Sequence, residues 1–287
     1  MEYWIENEHL KVGSIEKGAE LSSIVYKKTG REFLWQAGDL WKRKSPILFP
    51  VVGNCKDGQL IVDGKVYPMT SHGFARDLDF EMIKKDVTSV TYRLTENEYT
   101  LKMYPFQFEF YVTYTLIGHS LDVNFEVVNR SERDLYFSAG GHTAFLCNER
   151  EGENFTDFYL EFEQPENAGR YFKRKLLSDQ PEEYLKDTKI LKLTPELFAQ
   201  DALIFKDLVS DCVTLKNVND GAEVKVTFKG FPVLIIWSKG DGFVCIEPCE
   251  GCDDAESFAG DITQKEKMVR LAPGETYDKS FQYRIHG

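Results

Sequence analysis

The chain has 287 residues, of which 42% are hydrophobic and 14% aromatic. Its formal net charge is -12 and its sequence pI about 5.0. That balance argues against a nucleic-acid binder, which usually carries a basic stripe. No run approaches the ~18 apolar residues of a membrane span, while the apolar content suffices for a large core.

The opening, MEYWIENEHLKV, is acidic and lacks a basic n-region followed by an apolar run, so no signal peptide is expected. The expectation is a cytoplasmic protein that binds neither membrane nor nucleic acid, with its six cysteines as reduced thiols. No linker, repeat or low-complexity segment divides the chain, and one domain over 1–287 is expected. Lys42, Arg43 and Lys44 form a basic run, and Lys173, Arg174 and Lys175 form another. Solvated loop charge accounts for both, with a phosphate contact at a pocket rim as the sharper alternative.

QLIVDGKVYPM at 59–69 reads as a hairpin whose tight turn is Asp63-Gly64. SHGFARD follows at 71–77. Its Gly73 would let the backbone approach a ligand beside His72, and Arg76 offers several donors in a fixed fork. Taken alone, His72 and Arg76 fit a structural role as well as a functional one.

A short strand is expected at 89–94. FEFYVTYTL at 108–116 and LDVNFEVVN at 121–129 then alternate with period two. Phe108, Phe110, Val112, Tyr114, Leu121, Val123, Phe125 and Val127 point inward, and the link IGHS makes the pair a hairpin.

SAGGHTAF at 138–145 places two glycines before His142, so a sharp bend is expected there. Histidine has the one side chain whose ordinary pKa lies near neutrality, which suits proton transfer. A satisfied polar residue is the plainer role for it.

Further strands are expected at 158–162, 223–228, 242–246 and 279–285. FPVLIIW at 231–237 is apolar throughout, so it reads as a strand buried on both faces with Pro232 at its first position. Its Trp237 is expected in the core. Helical signals are confined to PEEYLK at 181–186 and PELFAQ at 195–200, each opening on proline. The fold class that follows is all-β, a large antiparallel β-sandwich with few short helices. In AQDALIF at 199–205, Asp201 is either a turn aspartate or an acceptor for sugar hydroxyls.

The run VCIEPCEGCDD at 244–254 holds Cys245, Cys249 and Cys252. A structural zinc site usually wants four Cys/His ligands, often as two paired knuckles. One CxxC pair with a stray third thiol is a poor match, and no metal is expected. Glu247 stands before Pro248, which favours extended backbone and would hold the carboxylate at a strand end. A solvent-facing glutamate is the alternative.

Together SPILFPVVGN (45–54), HGFARD (72–77), GGHTAF (140–145), DALIF (201–205) and CIEP (245–248) resemble the aldose 1-epimerase, or galactose mutarotase-like, family, and most nearly its LacX-like branch. The motifs come in the family's order. The resemblance implies a twisted β-supersandwich that interconverts the α and β anomers of a hexose without a cofactor. It implies Glu247 as general base, His142 as general acid, and His72, Arg76 and Asp201 as substrate-binding residues. Many members carry an arginine where this chain has Asn54, and Arg76 is the cation available instead. Cys249 stands where the branch often has an aromatic residue. The alternatives kept open are a hexose-6-phosphate 1-epimerase and a non-catalytic carbohydrate-binding protein of the same fold. The partner is a small sugar, free or phosphorylated, and the chain is a monomer or homodimer.

Overall fold

The computed structural model describes residues 1–148, 152–172 and 175–287. Lys173 and Arg174 of the second basic run lie outside the described residues.

Antiparallel strands dominate. A nine-stranded sheet runs in the order Thr188–Lys192, Phe158–Glu166, Cys212–Asn217, Glu223–Thr227, Thr276–His286, Ser120–Asn129, Phe108–Ile117, Ser89–Thr95 and Glu81–Lys85. Next to its central strand, Thr276–His286, is the expected hairpin, paired from Phe108↔Asn129 to Ile117↔Ser120. The period-two pattern does what such a pattern must: Phe108, Phe110, Val112, Tyr114, Val123, Phe125 and Val127 are buried.

That buried face packs on a smaller sheet. Its path is Leu203–Phe205, Val233–Trp237, Phe243–Cys249, Gly140–Gly141 and Ile47–Leu48, with Thr143–Leu146 also paired to Phe243–Cys249. Aromatic rings join the two layers. Phe49 stacks on Phe110 at 4.5 Å, and Phe145 meets Tyr283 edge-on at 5.1 Å. Each such fully buried ring contributes roughly 1.5–3 kcal/mol. The result is an all-β twisted sandwich.

The smaller sheet is buried on both faces, as the apolar run at 231–237 implied. Every residue of Phe243–Cys249 is buried. Val244 and Ile246 face the main core. Cys245, Glu247 and Cys249 take the other face, and that second face positions the site.

Two local expectations change and one holds. PEEYLK forms no helix: Glu182–Glu183 is a short strand paired with Gly169–Arg170. One turn of helix propensity cannot meet the cost of nucleation when a partner strand is at hand. PELFAQ does form a turn, the 3-10 helix Pro195–Phe198 with proline in its first turn. Pro232 lies just before its strand, which begins at Val233. Among the described residues no helix is long and apolar enough to cross a membrane.

Candidate active site

Sheet register brings the two central side chains together. Thr143 pairs with Ile246, and Gly140 with Cys249. Carried across the gap, that register sets His142 opposite Glu247 and Gly141 opposite Pro248. Proline has no N–H to give the ladder. The His142 N–H points to the other neighbouring strand and donates to Pro46 O at 3.0 Å, continuing the register of Gly140↔Leu48 and Gly141↔Ile47. Glu247 is therefore not at a strand end. Its strand continues through Pro248 to Cys249, and the neighbouring Val233–Trp237 strand pairs Ile235 with it.

His142 Nδ1 lies 3.4 Å from Glu247 Oε1, and the two side chains are 9% and 1% exposed. Burying a carboxylate so deeply is costly unless nearby polar groups compensate. The imidazole is held by rings: Trp41 stacks on it at 5.0 Å, while Trp237 and His72 meet it edge-on at 5.7 and 5.5 Å.

Above this pair opens a cleft of about 190 Å³, lined by all five residues singled out from the sequence: Glu247, His142, His72, Arg76 and Asp201. Gly53 grips His72 at two points. The His72 N–H donates to Gly53 O at 2.7 Å, and the Gly53 N–H donates to His72 Nδ1 at 3.1 Å. His72 has the left-handed backbone, φ 63°, that few non-glycine residues adopt.

Arg76 belongs to the 3-10 turn Ala75–Asp77 and donates through Nη2 to Ser71 O at 2.8 Å. Arg43, beside it, donates to Arg76 O at 3.3 Å and to Asp77 Oδ1 at 2.6 Å. Burial, and then the Arg43 charge, lower the pKa of the Arg76 guanidinium. Asp201 also has left-handed backbone, φ 71°, and its Oδ1 accepts from the Ala202 N–H at 2.9 Å. It is a turn aspartate and a cleft residue at once.

The glycines serve packing. Gly73 closely approaches the Phe49 carbonyl, since a Cβ there would collide with that oxygen. Gly140 and Gly141 make no sharp bend but lie in strand. A Cβ on Gly140 would stand 2.5 Å from Cys249 Sγ, and one on Gly141 would stand 2.5 Å from the Phe281 ring.

All six cysteines are buried free thiols. Burial pushes the Cys245 and Cys249 thiols well above their ordinary pKa, and Cys252 up to about 11. Among the described residues, the group of three potential ligands that converges is not the cysteine trio. It is His142, Cys245 and Glu247, with donor atoms within 4.8 Å of one another.

Sequence reasoning missed Trp41 and Asp253, which line the cleft. Asp253 Oδ1 accepts from Asn54 N–H at 2.8 Å and from Asn54 Nδ2 at 3.0 Å. Its only sequence signal was membership of the acidic CEGCDD run, and Trp41 had none. Trp237 is half-buried: it packs against two buried apolar clusters and also lines the cleft. Of the basic run 42–44, Arg43 alone reaches the cleft. Lys42 pairs with Asp39 at 2.7 Å, and Lys44 Nζ donates to Ser22 O at 2.8 Å.

Comparison with known proteins shows the family and the fold. A family model described as aldose 1-epimerase matches residues 1–284. Protein LacX (chromosomal) of Lactococcus lactis subsp. lactis is 33% identical over 294 residues, covering 98% of each chain. A crystal structure of a galactose mutarotase related enzyme from Lactobacillus acidophilus superposes with a TM-score of 0.96 at 38% identity, covering 100% of this chain and 98% of that one. A galactose mutarotase-like protein from Lactobacillus casei gives a TM-score of 0.91 at 30% identity over the whole of both chains.

Proposed function

Starting from the fact that the chain belongs to the aldose 1-epimerase family, we propose that it interconverts the α and β anomers of a hexose by acid/base ring opening. The observation that carries this reading is the buried His142–Glu247 pair, 3.4 Å apart in a polar-rimmed cleft.

Anomer exchange needs a base to take the proton from the C1 hydroxyl and an acid to protonate the ring oxygen. The C1–ring-oxygen bond then breaks to an open aldehyde. Rotation about C1–C2 and closure, with the two groups in reversed roles, give the other anomer. Both oxygens are bonded to C1, so one carboxylate and one imidazole side by side can serve both. The 3.4 Å gap leaves no room for a sugar between them, so the anomeric carbon sits over the pair. In this reading Glu247 is the base and His142 the acid. His72 and Arg76 donate to the ring oxygen or neighbouring hydroxyls, and Asp201 accepts from hydroxyls. Trp41 and Trp237 offer apolar faces to the sugar's C–H surface.

A specific observation favours a second reading, a hexose 6-phosphate as substrate. Arg43 and Arg76 both line the cleft, and their like charges disfavour one another. A phosphate between them would relieve that repulsion and accept forked donors. The sugar charge is separable from the chemistry.

Two-dimensional exchange NMR on glucose, galactose and glucose 6-phosphate tests both readings. Cross-peaks between anomers that grow with enzyme concentration support epimerase activity, and the sugar giving them fixes the substrate class. Glu247→Gln should lower the rate by roughly 10²–10⁴-fold with Tm unchanged or higher, because a buried carboxylate is replaced by a neutral isostere. A wild-type rate in that variant would remove Glu247 from the mechanism.

A further inference from the structure

We propose that His142, Cys245 and Glu247 form a binding site for a thiophilic divalent cation such as Zn²⁺, and that the loaded site blocks the cleft. The set is distinct from the Cys245, Cys249 and Cys252 trio that draws the eye in the sequence.

The geometry comes from the sheet. Cys245 and Glu247 are two residues apart on one strand and share a face. His142 stands opposite Glu247, and the small Ala144 pairs with Cys245, whose thiol is buried against Phe243 and neighbouring tryptophans. One sulfur, one imidazole nitrogen and one carboxylate oxygen thus lie within 4.8 Å of one another, all on buried residues.

Two zinc bonds of about 2.1 Å at a tetrahedral angle separate nitrogen and oxygen by about 3.4 Å. That is the distance between His142 Nδ1 and Glu247 Oε1. The sulfur, whose bond to zinc is about 2.3 Å, would stand about 3.6 Å from the other two ligand atoms, so metal binding draws the set in from its spread of up to 4.8 Å. Glu247 and His142 both line the cleft, so the fourth position faces it, as in three-ligand zinc sites that keep one position open. Softness sets the selectivity: a thiolate and an imidazole favour Zn²⁺, Cd²⁺ or Co²⁺ over Mg²⁺ or Ca²⁺. On binding, the Cys245 S–H bond breaks, the S–Zn bond forms, and the proton leaves to solvent. No oxidant or reductant is required.

Occupation consumes the two groups assigned above to proton transfer. The blocking half of the inference therefore rests on the proposed epimerase chemistry, while the binding half does not.

Co²⁺ titration of the full chain is the primary test. Wild-type protein should develop thiolate-to-cobalt charge-transfer absorption and the visible bands of a four-coordinate ion, and Zn²⁺ should displace both. Cys245→Ser and Cys245→Ala should lose the charge-transfer band and weaken Zn²⁺ binding at least about 10-fold. Cys249→Ala, which removes a thiol outside the set, should keep both. Wild-type binding without a thiolate band, or equal affinity in the Cys245 variants, overturns the site. X-ray absorption on Zn²⁺-loaded wild-type protein gives the answer without any variant. One sulfur among nitrogen and oxygen neighbours supports the proposal, and a shell of nitrogen and oxygen alone overturns it. In the exchange assay, Zn²⁺ should suppress wild-type anomerisation and leave Cys245→Ser at least about 10-fold less sensitive. Absent cobalt bands alongside normal anomerisation would sink the metal site alone. Cobalt bands in a protein that never accelerates anomerisation would sink the epimerase reading alone.

Discussion

The Gly53 N–H donates to Nδ1 of His72 at 3.1 Å. A ring nitrogen that accepts cannot also hold the proton, so neutral His72 carries its hydrogen on Nε2. The left-handed backbone of His72 and the gripping loop at Gly53 fix that choice together.

His72→Asn follows from this relationship. Asparagine tolerates left-handed backbone better than most residues, and its Oδ1 can accept from Gly53 in place of Nδ1. The variant should fold with a near wild-type Tm but lack the Nε2–H donor. We expect kcat/KM to fall about 10-fold, the equivalent of one hydrogen bond of about 1.4 kcal/mol. A fall in Tm with intact kcat/KM would make His72 a structural residue.

The two tryptophans should separate. Trp237 borders the cleft and meets His142 edge-on, whereas Trp41 stacks flat on the imidazole at 5.0 Å. Trp237→Ala should mainly raise KM, by about 2- to 10-fold, the worth of one aromatic face. Trp41→Ala should also lower kcat, since His142 loses the ring that orients it. Steady-state kinetics by polarimetry distinguish the two, and identical effects on KM and kcat in both variants would contradict the assignment.

Gly140 and Cys249 test the packing beneath the site. A Cβ at 140 would stand 2.5 Å from Cys249 Sγ. Gly140→Ala alone should destabilise by about 1–3 kcal/mol through overpacking. Adding Cys249→Ala vacates the sulfur's position, so the double variant should recover part of that loss in urea melts. Simple additivity of the two single effects would show that the sulfur is not the obstacle.

Stability should fall at alkaline pH. Burial raises Cys55 from 9.0 to about 12, Cys252 from 9.0 to about 11, and Tyr92 from 10.0 to about 12. The folded chain therefore keeps protons that the unfolded chain releases above about pH 9. Their contribution is complete below pH 9 and is lost as pH rises through 9 to 12. Urea midpoints at pH 8 and pH 10.5 should show the decline, and Cys55→Ala should flatten it. With every thiol buried, Ellman's reagent at pH 8 should label the cysteines slowly before unfolding and all six after it.

The sandwich was legible because strand patterning is local. Alternation over 108–116 and 121–129 needs only a half-buried pleat to be read, and the continuous apolar run at 231–237 needs only a sheet covered on both sides. The motif residues were legible because HGFARD, GGHTAF and CIEP resemble a known family. PEEYLK misled because one turn of helix preference yields to strand pairing. The glycines at 140 and 141 misled because their neighbours, Cys249 and Phe281, are more than a hundred residues away in the chain.

The sequence alone determined the strongly patterned strands, such as 108–116, 121–129 and 231–237, with their buried faces, and it named the five candidate residues, all of them properties of short windows. Tertiary structure alone decided that His142 faces Glu247 at 3.4 Å, that Arg43 rather than Lys42 or Lys44 reaches the cleft, and that Trp41 and Asp253 complete its lining. Those facts depend on which strands pair and in what register. Register is set by the whole core, because a slip of one residue would turn every side chain, Glu247 included, to the opposite face.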